Sequence, residues 1–232
     1  MIIRSMIRRV VEIINPTYKD KFTGGEFEVD NWKLSSFILR KVVPVVGAHP
    51  FPLNELLLMS AAVAWIKPTH IFDWGTHIGK SARIFYETCK FLEIETTIHS
   101  IDLPDDVDHK EHPHRTRGKL VRGKKNVLLH QGDGVNTSLH LCKELDKEAR
   151  PLFYLDGDHS YETVYRELVS IIENVNKPAI ILHDTFYQTA ASGYNTGPFK
   201  AIEDALLKFP GIIFKRIDTN TGLPGMTFIY AV

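Results

Sequence analysis

The chain has 232 residues, 44% of them hydrophobic and 24% charged, which suits one globular domain of ordinary make-up with a core of useful size. Lysine plus arginine balance aspartate plus glutamate at 28 each, so net charge offers no general attraction for nucleic acid or for a strongly acidic partner. Two cysteines, Cys89 and Cys142, are too few and too far apart for a disulfide framework or a zinc site, so a reducing cytoplasm is the expected location, and no apolar run of about 18 residues exists to span a membrane.

At the N-terminus, Ile2, Ile3, Met6, Ile7, Val10, Val11 and Ile14 fall on one helical face and Arg4, Arg8 and Arg9 on the other. That pattern predicts a helix docked on the rest of the protein or on a second subunit; a helix lying in a membrane interface is the alternative. It lacks the apolar centre and cleavage site of a secretory signal. Asn15-Pro16 ends it, and Lys19 to Asp30, with Gly24-Gly25, reads as a loop. Trp32–Val46 and Leu53–Ile66 are two further helical patterns, parted by Gly47, Pro50 and Pro52. Residues 1–66 are thus expected to form a helical extension on a main domain of residues 67–232.

From His70 onward the period alternates. The predicted order is strand His70–Trp74, helix Lys80–Leu92, strand Thr97–Ile101, a long polar segment, strand Asn126–His130, helix Thr137–Ala149, strand Leu152–Leu155, helix Tyr161–Asn174 and strand Ala179–Leu182. Repeated strand-helix units imply a doubly wound α/β sheet, parallel and covered on both faces. After a helix at Phe199–Lys208, the last strands, Ile212–Ile217 and Thr227–Val232, flank a Gly-Leu-Pro-Gly turn and must be antiparallel. The expected architecture is five parallel strands closed by a C-terminal antiparallel hairpin, with extra N-terminal helices.

In such a sheet ligands bind at the carboxyl ends of the strands. Those ends carry an unusual run of acids: Asp73, Asp102, Gly132-Asp133-Gly134, Asp156-Gly157-Asp158-His159 and His183-Asp184. Clustered carboxylates repel unless something positive or hydrogen-bonding joins them, so the convergence asks for a ligand or a cation. Asp102 is placed to accept hydrogen bonds from two ribose hydroxyls, which serves an adenosyl group or a nicotinamide dinucleotide equally. Asp133 in its glycine frame also suits a plain turn.

The turn after the first strand, Thr69 to Ala82, decides between ligands. Its order is Asp73-x-Gly75-x-x-x-Gly79-x-Ser81, not the Gly-x-Gly-x-x-Gly of a dinucleotide site, and Gly75 and Gly79 are expected to let the backbone approach a bulky ligand. It resembles the first motif of class I S-adenosylmethionine-dependent methyltransferases, with His77 where the middle glycine stands. Asp156-x-x-His159, followed by Ser160-Tyr161-Glu162, and Leu182-His183-Asp184-Thr185 resemble motifs of metal-assisted O-methyltransferases, in the branch of macrolide-sugar and cephalosporin-tailoring enzymes, and more distantly the catechol type. The likeness runs from about Thr69 to Phe186.

That resemblance implies a donor site built from Asp73, Gly75, Thr76, Gly79, Ser81, Asp102, Asp133, Gly134 and Asp156, with Asp133 meeting the adenine amino group. It implies a divalent cation, Mg²⁺ or Mn²⁺, held by Asp156 and Asp184 with His183 beside them, and His159 as the base that takes the acceptor's proton. The chemistry is coherent, because a cation and a histidine together can deprotonate a hydroxyl that is otherwise too weakly acidic. His183 is a departure, since the relatives often carry a second acid there and imidazole suits Zn²⁺, Mn²⁺ or Fe²⁺ better than Mg²⁺; a weak site or none is also open. The implied function is methylation of a hydroxyl on a small molecule or sugar; a homodimer is expected separately, from the apolar N-terminal face and the two helices before the sheet. Rivals are an NAD-dependent oxidoreductase and a non-catalytic module that binds an adenosyl ligand. Two further segments bear on the acceptor. His109, His112 and His114 lie among basic residues and read as a solvated segment or an anionic-substrate contact, and Phe186–Pro198 reads as a lid or acceptor pocket.

Overall fold

The computed structural model describes residues 28–107, 116–187, 190–219 and 221–232. The amphipathic N-terminal face, the Gly24-Gly25 loop and His109, His112 and His114 lie outside them. The described chain begins with α1 (Asn31–Phe37), opened by the Asp30 side chain, which accepts the Lys33 N–H at 2.9 Å. It passes through a π-helical turn (Ile38–Val42) into α2 (Val43–Val46), so the helix expected over Trp32–Val46 is widened at its centre. Pro44, with no N–H to give and a ring that crowds the turn before it, sits where the wide turn closes. Gly47, at φ 78°, stops it, and α3 (Leu53–Ile66) follows.

Seven strands form one sheet: β1 (His70–Trp74), β2 (Thr97–Asp102), β3 (Val127–Gln131), β4 (Pro151–Leu155), β5 (Ala179–His183), β6 (Phe214–Asp218) and β7 (Met226–Ala231). The order across the sheet is β3-β2-β1-β4-β5-β7-β6. The first five pair in parallel, and β7 lies antiparallel between β5 and β6. Strand order reverses between β1 and β4, the place where such sheets open a crevice at their carboxyl edge.

Alternation along the strands builds two cores. Ile71, Tyr154, Ile181 and Phe228 face α1, α3 and the helix α4 (Lys80–Leu92), where they meet Met59 and Phe85. Phe72, Phe153, Ile180 and Ile229 face the helices α5 (Gly134–Cys142), α6 (Tyr161–Asn174) and α7 (Gly197–Leu207). In α6 the buried Val164, Leu168, Ile171 and Ile172 fall at helical spacing, and the Ser160 hydroxyl caps its start by accepting the Thr163 N–H. The helix expected over Thr137–Ala149 instead starts at Gly134, because Asp133 caps it by accepting the Asn136 N–H, and it stops at Cys142. Among the described residues no helix is long and apolar enough to cross a membrane.

Candidate functional site

Two neighbouring strand ends and one helix from outside the sheet make the site. Asp156 follows β4, His183 ends β5 and Asp184 follows it, so parallel pairing of β4 with β5 sets their side chains side by side. His159 lies in the turn that enters α6. Asp184 adopts φ 57°, a left-handed conformation that aspartate tolerates better than most residues and that turns its carboxylate back toward the strand ends.

His183 is the centre. Its Nδ1 lies 3.0 Å from Asp156 Oδ1 and 3.7 Å from Asp184 Oδ2, and its Nε2 lies 3.1 Å from Glu55 Oε2, on α3. Burial alone would push the imidazole pKa down, but the charge and hydrogen bond of Asp156, with Glu55 and Asp184, outweigh it and bring it up to about 10. The Phe51 ring stands edge-on to the imidazole at 5.1 Å. His159 is more open: its Nε2 lies 3.2 Å from Asp184 Oδ2 and 3.8 Å from Asp156 Oδ1, with its side chain 32% exposed. Two hydroxyls complete the hydrogen bonding, Tyr154 donating to Asp156 Oδ2 and Tyr194 to Asp184 Oδ1. Burial and these acceptors raise both phenol pKa values, so both remain donors at neutral pH.

One ligand atom each from Asp156, His183 and Asp184 lie within 4.8 Å of one another. Two carboxylates and an imidazole at that spacing are a donor set that a divalent transition ion accepts. Glu55 escaped the sequence reading altogether. It is a single acid inside an apolar helix, and nothing in its neighbourhood in the chain announces a partner 128 residues away.

At β1, Asp73 is fully buried; its Oδ2 takes the Ser100 hydroxyl at 2.5 Å, which in turn bonds Thr76, and its Oδ1 has no partner. Burial lifts its pKa to about 7, opposed by Ser100 and aided by repulsion from Asp156 and Asp102. Ser81 opens α4 nearby and is buried. Asp102 accepts the N–H groups of His77 (3.0 Å) and Leu103 (2.9 Å), and Arg117 approaches it to 3.4 Å.

At the glycines the backbone comes close to other parts of the chain. A Cβ on Gly75, at φ 90°, would stand 2.3 Å from the Asp156 carbonyl oxygen, and one on Gly79 would crowd Val121 and Gly118. The close approach is between parts of this chain: Gly75 lets the β1 turn lie against the backbone that carries Asp156. Gly134 packs likewise against the Trp74 ring. Asp133 spends one oxygen capping α5 and the other on Arg166 at 3.2 Å, so its visible duty is to end a loop and start a helix. In the expected lid, Tyr187 is 57% exposed and rests on Phe199, while Tyr194 turns inward.

By sequence the chain matches no protein-family model and no curated protein. Its structure is similar to an O-methyltransferase from Bacillus cereus in complex with SAH, at 13% identity and a TM-score of 0.56, over 97% of each chain. It is also similar to an SAH-bound methyltransferase from Podospora anserina (18% identity, TM-score 0.53, 98% of this chain and 96% of that one). A third likeness is to the Streptomyces achromogenes O-methyltransferase of tomaymycin synthesis in complex with SAM (12%, 0.53, 96% of each). These likenesses establish the fold: the chain has the Rossmann-like methyltransferase sheet, closed by its C-terminal antiparallel hairpin.

Proposed function

We propose that the chain is an S-adenosylmethionine-dependent O-methyltransferase of the cytoplasm, acting as a homodimer on a hydroxyl of a small molecule or sugar. The observation that carries this is the meeting of Asp156, His159, His183 and Asp184 at the β4 and β5 ends of a methyltransferase-type sheet. The similar folds named above include proteins bound to SAM or SAH, which supports the donor. Residues 67–232 form the transferase domain in this reading, and residues 1–66 an extension that contributes Glu55.

The donor lies across the β1 turn, with Asp73, Thr76 and Ser81 behind it, Asp102 at the ribose, and Asp133 and Gly134 on the adenine side. The acceptor oxygen sits by His159 Nε2. Its lone pair forms the new bond to the methyl carbon as the carbon–sulfur bond breaks, the pair returning to sulfur and leaving a neutral thioether. The hydroxyl proton passes to His159, whose neighbour Asp184 stabilises the imidazolium. A divalent cation held by Asp156, His183 and Asp184 would supply Lewis-acid help to the hydroxyl.

Calorimetry with S-adenosylmethionine, SAH and NAD is the direct test. The expected result is binding of the first two and none of NAD; tight NAD binding would overturn the reading. Screening hydroxylated acceptors with and without EDTA then separates a transferase from a module that only binds, and metal-assisted from metal-free turnover.

A further inference from the structure

Glu55 is the one carboxylate of the site that belongs to no strand end. It is fully buried in α3, and its two oxygens face different partners: Oε1 accepts the Gly225 N–H at 2.8 Å, and Oε2 lies 3.1 Å from His183 Nε2. A carboxylate offers acceptors, so Nε2 carries the hydrogen between them. On the far side of the ring Nδ1 faces Asp156 at 3.0 Å and Asp184 at 3.7 Å and carries a hydrogen as well, the one that a cation bound there would displace while Glu55 keeps the hydrogen at Nε2. Phe51, edge-on to the imidazole, limits its rotation.

We propose that Glu55 is a positioning residue for a divalent cation at Asp156, His183 and Asp184. By holding the Nε2 hydrogen it selects the tautomer and the ring orientation in which Nδ1 is the donor atom. The inference deepens the functional reading above and rests on its metal-assisted form. An outer carboxylate of this kind orients a metal-bound imidazole and raises its basicity, and removing such a partner typically costs about 10–100-fold in metal affinity. The carboxylates of Asp156 and Asp184, on the Nδ1 side of the ring, also place negative charge where a cation would sit. The imidazole selects Mn²⁺ or Zn²⁺ over Mg²⁺.

The test is calorimetric titration of the full chain with Mn²⁺ and with Zn²⁺, alongside SAH as an independent measure of an intact donor site. Glu55→Gln is expected to bind either ion about 10–100-fold more weakly than the wild type, with SAH affinity unchanged. Equal ion affinity in the two proteins overturns the role of Glu55 while leaving the metal site standing. A wild type that binds neither ion overturns Glu55's role and the metal-assisted form together, and SAH binding in that same series shows whether the donor reading survives. Because altering a buried carboxylate can unsettle the fold, ¹⁵N NMR of the wild-type His183 ring with Zn²⁺ gives a second measurement. The expected signature is a retained hydrogen at Nε2 and a metal-bound Nδ1; the opposite tautomer overturns the proposal.

Discussion

The two histidines of the site differ in what surrounds them, and that difference assigns their work. His183 is buried and held on both nitrogens by carboxylates, so an arriving substrate cannot easily exchange a proton with it. His159 has one close carboxylate and a third of its side chain open. His159→Ala is therefore expected to lower turnover about 10²–10⁴-fold with SAH affinity unchanged, a split read by pairing steady-state kinetics with calorimetry. Full activity in that variant would overturn the base assignment, and His183 would be the next residue to test. Asp102 gives the donor counterpart. Its oxygens already hold the His77 and Leu103 N–H groups, so the carboxylate is oriented before any ligand arrives. Asp102→Ala should weaken SAH binding by about 1.5–3 kcal/mol, the range for hydrogen bonds to a charged group; an unchanged affinity would place the ribose elsewhere.

Among the elements, β1, β2 and β3 share a feature that periodicity does not report. His70 Nδ1 lies 3.2 Å from His99 Nε2, and His99 Nδ1 lies 3.1 Å from His130 Nε2, so three imidazoles form a chain across three strands. His70 stacks on His99, which stacks on Phe72. Burial, then the neighbouring imidazoles, push His99 down to about 4, and burial lowers His70 and His130 as well, with Asp146 opposing at His70. At these three rings the unfolded chain binds more protons than the folded one below about pH 6.5, so their contribution to stability falls as pH drops from there toward 4. Denaturation midpoints between pH 7.5 and 4.5 should decline more steeply in the wild type than in His99→Phe; parallel curves would show that the chain of rings carries no such cost. The strands themselves were legible because buried runs and helical faces alternate cleanly, and β1, α4 and α6 have the ends their patterns imply. The start of α5 was not, because Gly132-Asp133-Gly134 reads equally as a ligand turn or a plain one, and the cap that Asp133 makes on the Asn136 N–H does not show in the spacing. Contacts that join distant elements, such as Glu55 to Gly225 or the histidine chain, leave no mark at any sequence spacing.

At the scale of the whole molecule, the helices before the sheet leave apolar surface outward. Trp32, Leu39 and Leu53 are 55%, 55% and 50% exposed, whereas the two cores beneath are closed. Single exposed apolar side chains are ordinary, but three on consecutive helices, preceded in sequence by the amphipathic face of residues 2–14, favour contact with a second copy. A stable contact of that kind buries about 1,600 Å² in all, more than these side chains alone provide, so the N-terminal face should share in it. Analytical ultracentrifugation of the full chain is expected to show a dimer. A chain beginning at Lys19, and separately Leu39→Glu, should shift it to monomer while SAH affinity stays as it was. A full-length monomer would remove the dimer from the reading, and if that monomer bound anionic vesicles, the basic face of Arg4, Arg8 and Arg9 would be the part that meets the lipid.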